Sequence, residues 1–256
     1  MSGSLAGRSV LVTRPEGLAG RLAELLRAEG AEAVLLPAIE ILPPRDPAAL
    51  AALIDRLDEF DIAIFVSPTA ASRAHAAVSA RRAWPGRLRL AAIGGATARA
   101  LRDLGIEGVV APQGRGDSEA LAALPEMAQV RGRRIVIFRG EGGREALREA
   151  LEARGAFVAY AECYRRALPR ADVGPLIGRW RNGGIDAVSV TSTEGLENLL
   201  ALLGPAAAPL LRATPLFVPH PRIAEAAAGL GMGRVAVTEA SDEALVAALA
   251  AFFARV

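Results

Sequence analysis

Small, hydroxyl-bearing and basic residues recur where the chain passes from a predicted strand into a predicted helix. Four such turns are Ser67–Thr69, Gly94–Thr97, Thr191–Thr193 and Pro219–Arg222. Two arginines, Arg14 and Arg139, follow two further strands. Main-chain N–H groups at a helix start and guanidinium forks both bind anions. Together the turns favour a site for a ligand with several carboxylates, although helix N-capping alone would use the same residue types.

The glycine-rich turn Gly140–Gly143 raises the question of a nucleotide site. A G-x-G-x-x-G fingerprint starting at Gly140 would need its third small residue at Glu145. The equivalent turn at Arg14–Gly17 has less glycine, and the sequence contains no Walker A motif. Nucleotide binding is therefore not expected, and the turn is interpreted as a generic anion site at a helix start.

Residues for covalent, acid–base or metal chemistry are few. Cys163 is the single cysteine, and His75 and His220 are the two histidines. Their spacing gives no disulfide, no metal-ligand set and no Ser-His-Asp arrangement, and the carboxylates form no paired motif. An enzyme with this inventory would act mainly by holding a reactive substrate in shape.

Composition sets the class of protein. The 256 residues are 52% hydrophobic and 23% charged, which is the balance of a globular chain with one large or two modest domains. All 30 basic residues are arginine, yet the net charge is only +2 and no basic block is present. No nucleic-acid partner is expected. Without a signal-peptide pattern or an apolar run of about 20 residues, a cytoplasmic protein without a membrane segment is expected.

The chain is an internal duplication. When the sequence is displaced by 125 positions, the stretch that begins at Gly7 aligns with the stretch that begins at Gly132. By the same displacement, Asp61–Ala71 aligns with Asp186–Leu196. A period of this length is the size of a domain and too long for a solenoid repeat.

Each half alternates strands with helices. The predicted strands are Val10–Thr13, Val34–Leu36, Ile62–Val66, Leu90–Ile93, Val109–Ala111, Ile135–Phe138, Phe157–Tyr160, Ala187–Thr191, Leu216–Val218 and Arg234–Val237. The predicted helices are Leu18–Glu29, Pro47–Leu57, Pro68–Val78, Ala96–Leu104, Ser118–Leu124, Arg144–Arg154, Val173–Arg181, Glu194–Leu203, Arg222–Gly229 and Asp242–Ala254. This alternation predicts parallel sheets flanked by helices, with ligands at the carboxyl ends of the strands.

Two connecting segments lack helical periodicity. Leu35–Pro44 and Ala159–Pro169 occupy equivalent places in the two halves and end in proline. They are either ordinary loops or paired crossing strands that join two lobes. The second arrangement would place both ends of the chain in one lobe and its middle in the other.

The ordered motifs of the chain resemble those of the uroporphyrinogen-III synthase family. They are VLVTRP, FVSPTAA, AIGGATARAL, IVIFRGEGGREAL, AECYRR, VTSTEGL and SDEAL, and they extend over essentially the whole chain. The resemblance implies an α/β fold with two similar lobes, each a parallel sheet flanked by helices, joined by a two-stranded connector. It places one lobe at 1–38 and 169–256 and the other at 41–165, with connectors at about 37–44 and 159–169.

The resemblance also implies a reaction. The family is a cyclising hydro-lyase of haem-type tetrapyrrole biosynthesis, which converts hydroxymethylbilane to uroporphyrinogen III with inversion of ring D and loss of water. Its small-molecule substrate carries eight carboxylates, no cofactor is required, and a monomer is expected. The candidate substrate-binding residues are Thr13, Arg14, Ser67, Thr69, Gly94, Thr97, Arg139, Gly140, Ser192, Thr193, His220 and Arg222.

Tyr164 is the catalytic candidate that the resemblance implies, because it occupies the tyrosine position of the connector motif, here ECYRR. A phenol can donate a hydrogen bond to a departing hydroxyl and act as a weak general acid. The alternative is a connector tyrosine that packs one lobe on the other.

Two other function classes remain open on the sequence. A two-lobed protein could close on a small anion without chemistry, although the missing signal-peptide pattern disfavours the periplasmic kind. A pair of nucleotide-sugar-binding lobes is also conceivable, but no ribose-binding acid follows the first turn.

Overall fold

The protein is described from a computed structural model that covers residues 3–114, 116–143 and 145–255. The strands are β1 (Ser9–Val12), β2 (Glu32–Leu35), β3 (Glu40–Leu42), β4 (Ile62–Phe65), β5 (Arg89–Ala92), β6 (Arg134–Gly140), β7 (Phe157–Ala167), β8 (Ala187–Ser189), β9 (Leu216–Val218) and β10 (Val235–Val237). The helices are α1 (Gly20–Ala28), α2 (Pro47–Asp55), α3 (Pro68–Ser79), α4 (Gly95–Asp103), α5 (Ser118–Ala122), α6 (Pro125–Ala128), α7 (Ala146–Glu152), α8 (Gly174–Arg181), α9 (Thr193–Leu203), α10 (Ala208–Ala213), α11 (Pro221–Gly229) and α12 (Asp242–Phe253).

The strands form two five-stranded sheets, in the orders β10-β9-β8-β1-β2 and β3-β7-β6-β4-β5. The pairings within β10-β9-β8-β1-β2 and within β7-β6-β4-β5 are parallel. Successive residues of β1 enter different core clusters: Leu11 packs with Val188 on one face, and Val10 packs with Ala187 on the other. Apolar side chains on both faces are typical of a sheet covered by helices on each side. The predicted fold class is confirmed.

The chain divides into two compact units. Unit 1 comprises the described residues up to Ile41 and from Ala167 onward, and unit 2 runs from Leu42 to Arg166. In unit 1, β1 and β2 come from the first repeat and β8, β9 and β10 from the second. In unit 2, β6 and β7, the equivalents of β1 and β2, come from the second repeat, and β4 and β5 come from the first. Each sheet is therefore built from both repeats.

The repeated first helix ends in the same way in both units. Gly30 follows α1 with a φ of +82°, and Gly155 follows α7 with a φ of +83°. The left-handed region suits glycine, because a side chain there meets the backbone. The positive φ explains the glycine at both copies of this position.

Several elements differ from the sequence prediction. The strand predicted at Val109–Ala111 is reduced to an isolated bridge between Ala91 and Val110. The helix predicted to reach Leu124 ends at Ala122, because a residue before proline disfavours helical geometry and Leu124 is extended with ψ 144°. Helices α6 and α10 are not predicted, because each is short and its proline-containing sequence has little helical periodicity.

Each connecting segment contains a strand. β3 lies in the segment Leu35–Pro44, and β7 continues beyond its predicted end at Tyr160 to Ala167. β3 is the neighbour of β7 in its sheet. The predicted start of α7 at Arg144 lies outside the described residues. Within the described ranges, no helix is both long and apolar enough to cross a membrane.

Candidate functional site

The candidate residues lie at the carboxyl ends of parallel strands in each unit. In unit 1 they follow β1, β8 and β9, and in unit 2 they follow β4 and β5 or end β6. Tyr164 lies on β7, opposite the end of β6. Ligands of open α/β sheets bind at this edge. In each unit, the predicted residues therefore lie at the edge of the sheet where this fold class binds ligands.

Three candidate side chains cap helices. Ser67 Oγ accepts the N–H of Ala70 at 2.9 Å, and Ser192 Oγ accepts the N–H of Gly195 at 3.0 Å. His220 Nδ1 accepts the N–H two residues further on at 3.1 Å. A helix start leaves about four N–H groups without an intrahelical partner, but Pro68 and Pro221 remove one of them from α3 and α11. In α11 the N–H of Ile223 also bonds to the His220 carbonyl at 3.0 Å, so α3 and α9 have more capacity for an anion than α11. Arg222, in the first turn of α11, is exposed.

The other small residues of the turns differ in access. Gly94 is the N-cap of α4, and a β-carbon there would lie 2.5 Å from the Cα of Gly116. This close approach requires glycine on structural grounds alone. Thr97 is 2% exposed, so its side chain is closed to solvent in this conformation. Thr69 and Thr193, in the first turns of α3 and α9, are half-buried.

The turn after β1 is tied to its own unit. The Thr13 hydroxyl donates to the carbonyl of Ser189 at 2.8 Å and is buried. Arg14 forms an ion pair with Asp242 through Nη2 at 2.5 Å. The Nε of Arg14 is buried and has no hydrogen-bond partner among the described residues. Arg14 therefore keeps one donor for which the described part of the fold provides no acceptor.

Arg139 braces the turn that follows it. Its Nε donates to the carbonyl of Gly140 at 3.2 Å, its Nη2 donates to the carbonyl of Gly142, and its Nη1 pairs with Glu145 at 3.1 Å. Its guanidinium also lies 4.2 Å from the ring centroid of Tyr160. Only 5% of the residue is exposed. Local carbonyls thus occupy the guanidinium at this copy of the duplicated position.

The partners of Arg139 perturb each other. Burial, together with the hydrogen bond to Glu145, raises the pKa of Tyr160 to about 12. That hydrogen bond from Tyr160, followed by the one from Arg139, lowers the pKa of the Glu145 carboxyl. The Glu145 carboxylate is therefore charged at neutral pH and holds the turn together.

The pairing of β6 with β7 is irregular at the site. Arg139 stands opposite Glu162, but Gly140 stands opposite Tyr164, so Cys163 is an extra residue. Such an insertion is a β-bulge, which redirects the following side chain. As a result the consecutive residues Cys163 and Tyr164 are both buried.

The Tyr164 ring lies against Gly140. A β-carbon on Gly140 would be 2.7 Å from Cζ of the ring, so only glycine fits there. The Tyr164 hydroxyl is 3.3 Å from Ser67 Oγ, and either oxygen could be the donor. The residue is 4% exposed. The phenol is thus held in one direction by packing, at the edge where the N-cap of α3 lies.

Two residues near Tyr164 were not singled out from the sequence. Cys163 donates from its thiol to the carbonyl of Arg139, with 3.3 Å between sulfur and oxygen, and burial raises its pKa to about 12. Glu141 donates its N–H to the carbonyl of Tyr164 at 2.8 Å. Only the GEGG turn pointed to Glu141, and nothing in the sequence indicated the bulge. Among the described residues, no group of three or more His, Cys, Asp or Glu side chains could hold a metal ion.

Sequence comparison identifies relatives over most of the chain. The profile of the family described as uroporphyrinogen-III synthase HemD matches residues 20–247. The uroporphyrinogen-III synthase of Salmonella typhimurium strain LT2 is 38% identical over 245 residues, which cover 94% of this chain and 99% of the relative. The enzyme of the same name from Escherichia coli strain K12 is 37% identical over 196 residues, which cover 76% of this chain and 80% of the relative.

Solved structures share the fold. A mutant uroporphyrinogen III synthase from the extreme thermophile Thermus thermophilus superposes with a TM-score of 0.63 at 17% identity, covering 98% of this chain and all of that one. Uroporphyrinogen-III synthetase from Helicobacter pylori superposes with a TM-score of 0.60 at 13% identity, covering 96% and 99%. At these identities the likeness bears on the fold, while the family profile and the bacterial relatives bear on descent. The chain belongs to the uroporphyrinogen-III synthase family.

Proposed function

We propose that Tyr164 and the strand-to-helix turns carry out the reaction of this family in this chain. The reaction is the cyclisation of hydroxymethylbilane to uroporphyrinogen III, with inversion of ring D and loss of water, in tetrapyrrole biosynthesis. The observation that carries the residue assignment is the position of the phenol, whose hydroxyl is 3.3 Å from Ser67 Oγ at the carboxyl-end edge of its sheet.

The reaction requires little side-chain chemistry beyond one proton donor. The hydroxyl of the first ring leaves as water and gives an electron-poor azafulvene. The substituted position of the last ring attacks it, and a spiro intermediate forms, reopens and recloses with that ring inverted. Because the free substrate closes spontaneously without inversion, the enzyme must above all exclude the direct closure geometry.

The contacts of Ser67 favour Tyr164 as the donor. Ser67 Oγ already accepts the N–H of Ala70, which leaves its own hydrogen available. If that hydrogen is donated to the phenol oxygen, the phenol hydrogen is free for the departing hydroxyl of the substrate. A chain of hydrogen bonds in a largely buried place strengthens each member, so the phenol becomes a stronger hydrogen-bond donor.

The eight carboxylates of the substrate require hydrogen-bond donors, which the main-chain N–H groups at helix starts and the arginines can provide. Ser67 and Ser192 use their side chains as caps, so the turns they begin would bind carboxylates through the remaining main-chain N–H groups. At His220 the N–H groups of Arg222 and Ile223 already bond to His220, so the exposed Arg222 side chain is assigned the contact there. Arg14 is assigned a direct contact through the part of its side chain that is accessible, which is 20% of it, and its buried Nε has no partner in the described ranges. Arg139 is assigned an indirect role, because its donors already hold the turn at Gly140.

The proposal includes where and in what form the enzyme works. A cytoplasmic monomer that needs neither a membrane nor a nucleic acid agrees with a net charge of +2. Light scattering on the eluting chromatographic peak would test the monomer directly. A mass of twice 26.6 kDa would contradict it.

One assay separates this function from anion binding without chemistry. Purified protein is supplied with hydroxymethylbilane generated enzymatically in the same vessel, and the products are oxidised and resolved by chromatography. An enzyme yields the type III isomer, whereas a binding protein leaves the type I isomer of spontaneous closure. The two bacterial relatives are both synthases, which gives the binding-protein alternative no support.

A further inference from the structure

We propose that Glu141 is a positioning residue that holds the bulge of β7 in the register at which Tyr164 meets Ser67. The inference rests on the proposed role of Tyr164. Glu141 is assigned no contact with substrate, and it acts through the direction of the phenol.

The bulge decides which face of the sheet Tyr164 takes. Side chains alternate along a strand, and Phe138 and Gly140 share one face of β6 because they are two residues apart. In a regular pairing, Cys163 would stand opposite Gly140 and Tyr164 would fall on the other face. The register shift instead puts Tyr164 opposite Gly140, with its hydroxyl at Ser67.

Two contacts hold the shifted register. The Cys163 thiol donates to the Arg139 carbonyl, beside the point where the ladder is interrupted. The Glu141 N–H donates to the Tyr164 carbonyl at 2.8 Å, immediately after the interruption. Since the thiol is a weak donor, the main-chain bond from Glu141 is the stronger of the two.

The carboxylate of Glu141 anchors that main-chain donor. Its Oε1 accepts the main-chain N–H of Arg45, and its Oε2 lies 3.4 Å from Arg45 Nε. Arg45 lies just before α2 and follows two prolines, which have no N–H to offer. The carboxylate therefore ties the turn after β6 to the segment that enters α2.

The two side chains of this contact differ in their exposure to solvent. The Glu141 side chain is 17% exposed, and the Arg45 side chain is 82% exposed. An exposed guanidinium contributes little to an ion pair, whereas a shielded carboxylate that accepts a main-chain N–H is a strong, charge-assisted acceptor. The hydrogen bond from the Arg45 N–H therefore stabilises the turn more than the ion pair does. A variant that removes the Arg45 guanidinium and keeps the N–H is the matched control.

Three single variants test the contact. Glu141→Ala removes the acceptor, and about a tenfold fall in kcat with KM within about twofold is expected, because the phenol is misdirected without loss of substrate contacts. Glu141→Gln keeps an acceptor oxygen and should retain more than about half of kcat. Arg45→Ala removes the guanidinium but keeps the main-chain N–H, so kcat should stay close to that of the unaltered enzyme.

A double-mutant cycle with Tyr164→Phe tells positioning from general destabilisation. If Glu141 acts through the phenol, Glu141→Ala should lower kcat by less than about twofold once the phenol hydroxyl is gone. The labelling rate of Cys163 by a disulfide reagent gives a second readout, since it is the only thiol in the chain. In folded Glu141→Ala this rate should rise at least about fivefold as the bulge loosens.

The possible outcomes distinguish the positioning role of Glu141 from the proposed role of Tyr164. Equal losses from Glu141→Ala in both backgrounds, or an unchanged kcat in the single variant, would overturn the positioning role and leave the role of Tyr164 standing. Full activity of Tyr164→Phe alone would overturn the proposed role of Tyr164 and this inference with it. If Glu141→Ala does not fold, Glu141→Asp takes its place in the cycle, because the shorter side chain keeps the charge but withdraws the carboxylate from the N–H of Arg45. An unchanged kcat in Glu141→Asp, or an equal loss in both backgrounds, would then overturn the positioning role.

Discussion

Arg133 Nη1 donates to Asp61 Oδ1 at 2.9 Å, and each of these residues comes from a different repeat. The contact recurs 125 positions away, where Arg8 Nη1 donates to Asp186 Oδ1 at 3.1 Å. In both pairs the second carboxylate oxygen accepts the N–H of the residue after the arginine, at 2.8 Å. The two copies of this contact each join one repeat to the other.

This exchange predicts where the chain can be divided. A fragment spanning 42–166 contains β4 to β7 and one complete core, so it should fold alone and unfold cooperatively in urea. A fragment cut at the repeat boundary, 1–125, keeps only the pairs β1–β2 and β4–β5, because it lacks β8 beside β1 and β6 beside β4, and it should show no cooperative transition. Circular dichroism on both fragments checks this, and a folded 1–125 fragment would contradict it.

Replacing Tyr164 with phenylalanine removes the proposed donor and keeps the packed ring. The rate of cyclisation should fall by about 30- to 1000-fold, equivalent to about 2–4 kcal/mol in the barrier, while the melting temperature changes little. The slow product should still be the type III isomer, because the rest of the site still shapes the substrate. Single-turnover kinetics with isomer analysis measures both, and fast closure to type I would show a shaping role instead.

The two equivalent arginines should respond differently to replacement by glutamine. Arg14→Gln should raise KM more than it lowers kcat, since Arg14 is assigned to a substrate carboxylate. Arg139→Gln should leave KM nearly unchanged and cost about 2–3 kcal/mol of folding free energy, because it removes a buried brace from local carbonyls. Urea titrations and steady-state kinetics on both variants give the comparison. A raised KM in Arg139→Gln at unchanged stability would reverse the assignment.

The thiol of Cys163 should be nearly inert in the folded protein. Burial raises its pKa to about 12, so the reactive thiolate is scarce at pH 8. We expect labelling at less than about 1% of the rate in urea-unfolded protein. Equal labelling of folded and unfolded protein would refute the burial argument.

The same thiol should affect stability at alkaline pH. Because the folded pKa lies above the ordinary thiol value near 9, this group lowers the free energy of unfolding progressively as pH rises from about 9 towards 12. The variant Cys163→Ala should lose that part of the alkaline decline.

Much of the fold could be predicted because apolar periodicity and the duplication are local features of the sequence. The run at Ile62–Val66 forms β4, which is one residue shorter than predicted, whereas the run at Val109–Ala111 forms only a bridge to Ala91. Its length is not the reason, because β9 and β10 are also three residues long and pair along their whole length. Proline explains the early end of α5. The strands of the connecting segments could be stated only as an alternative to loops, because pairing depends on a distant partner.

The site was less accessible to sequence reasoning. The turns were found from their residue types, but whether Arg139 reaches outward or braces its turn depends on the positions of the Gly140 and Gly142 carbonyls. The bulge at Cys163 arises from a mismatch between two strands, and no pattern in either strand reveals it. Gly140 was attributed to ligand binding, while the structure gives it a further reason, the ring of Tyr164.

The exchange of β–α–β segments between the units has a meaning for ancestry. A half-length polypeptide with this sequence pattern could complete a sheet only by giving its first strands to a second molecule and receiving that molecule's strands in return. Two such molecules would form a swapped homodimer. Joining the end of one to the start of the other makes the exchange covalent, and frees the two halves to diverge. Tyr164 has Ile39 as its counterpart 125 positions earlier, so the phenol belongs to one half alone and marks how far that divergence has gone.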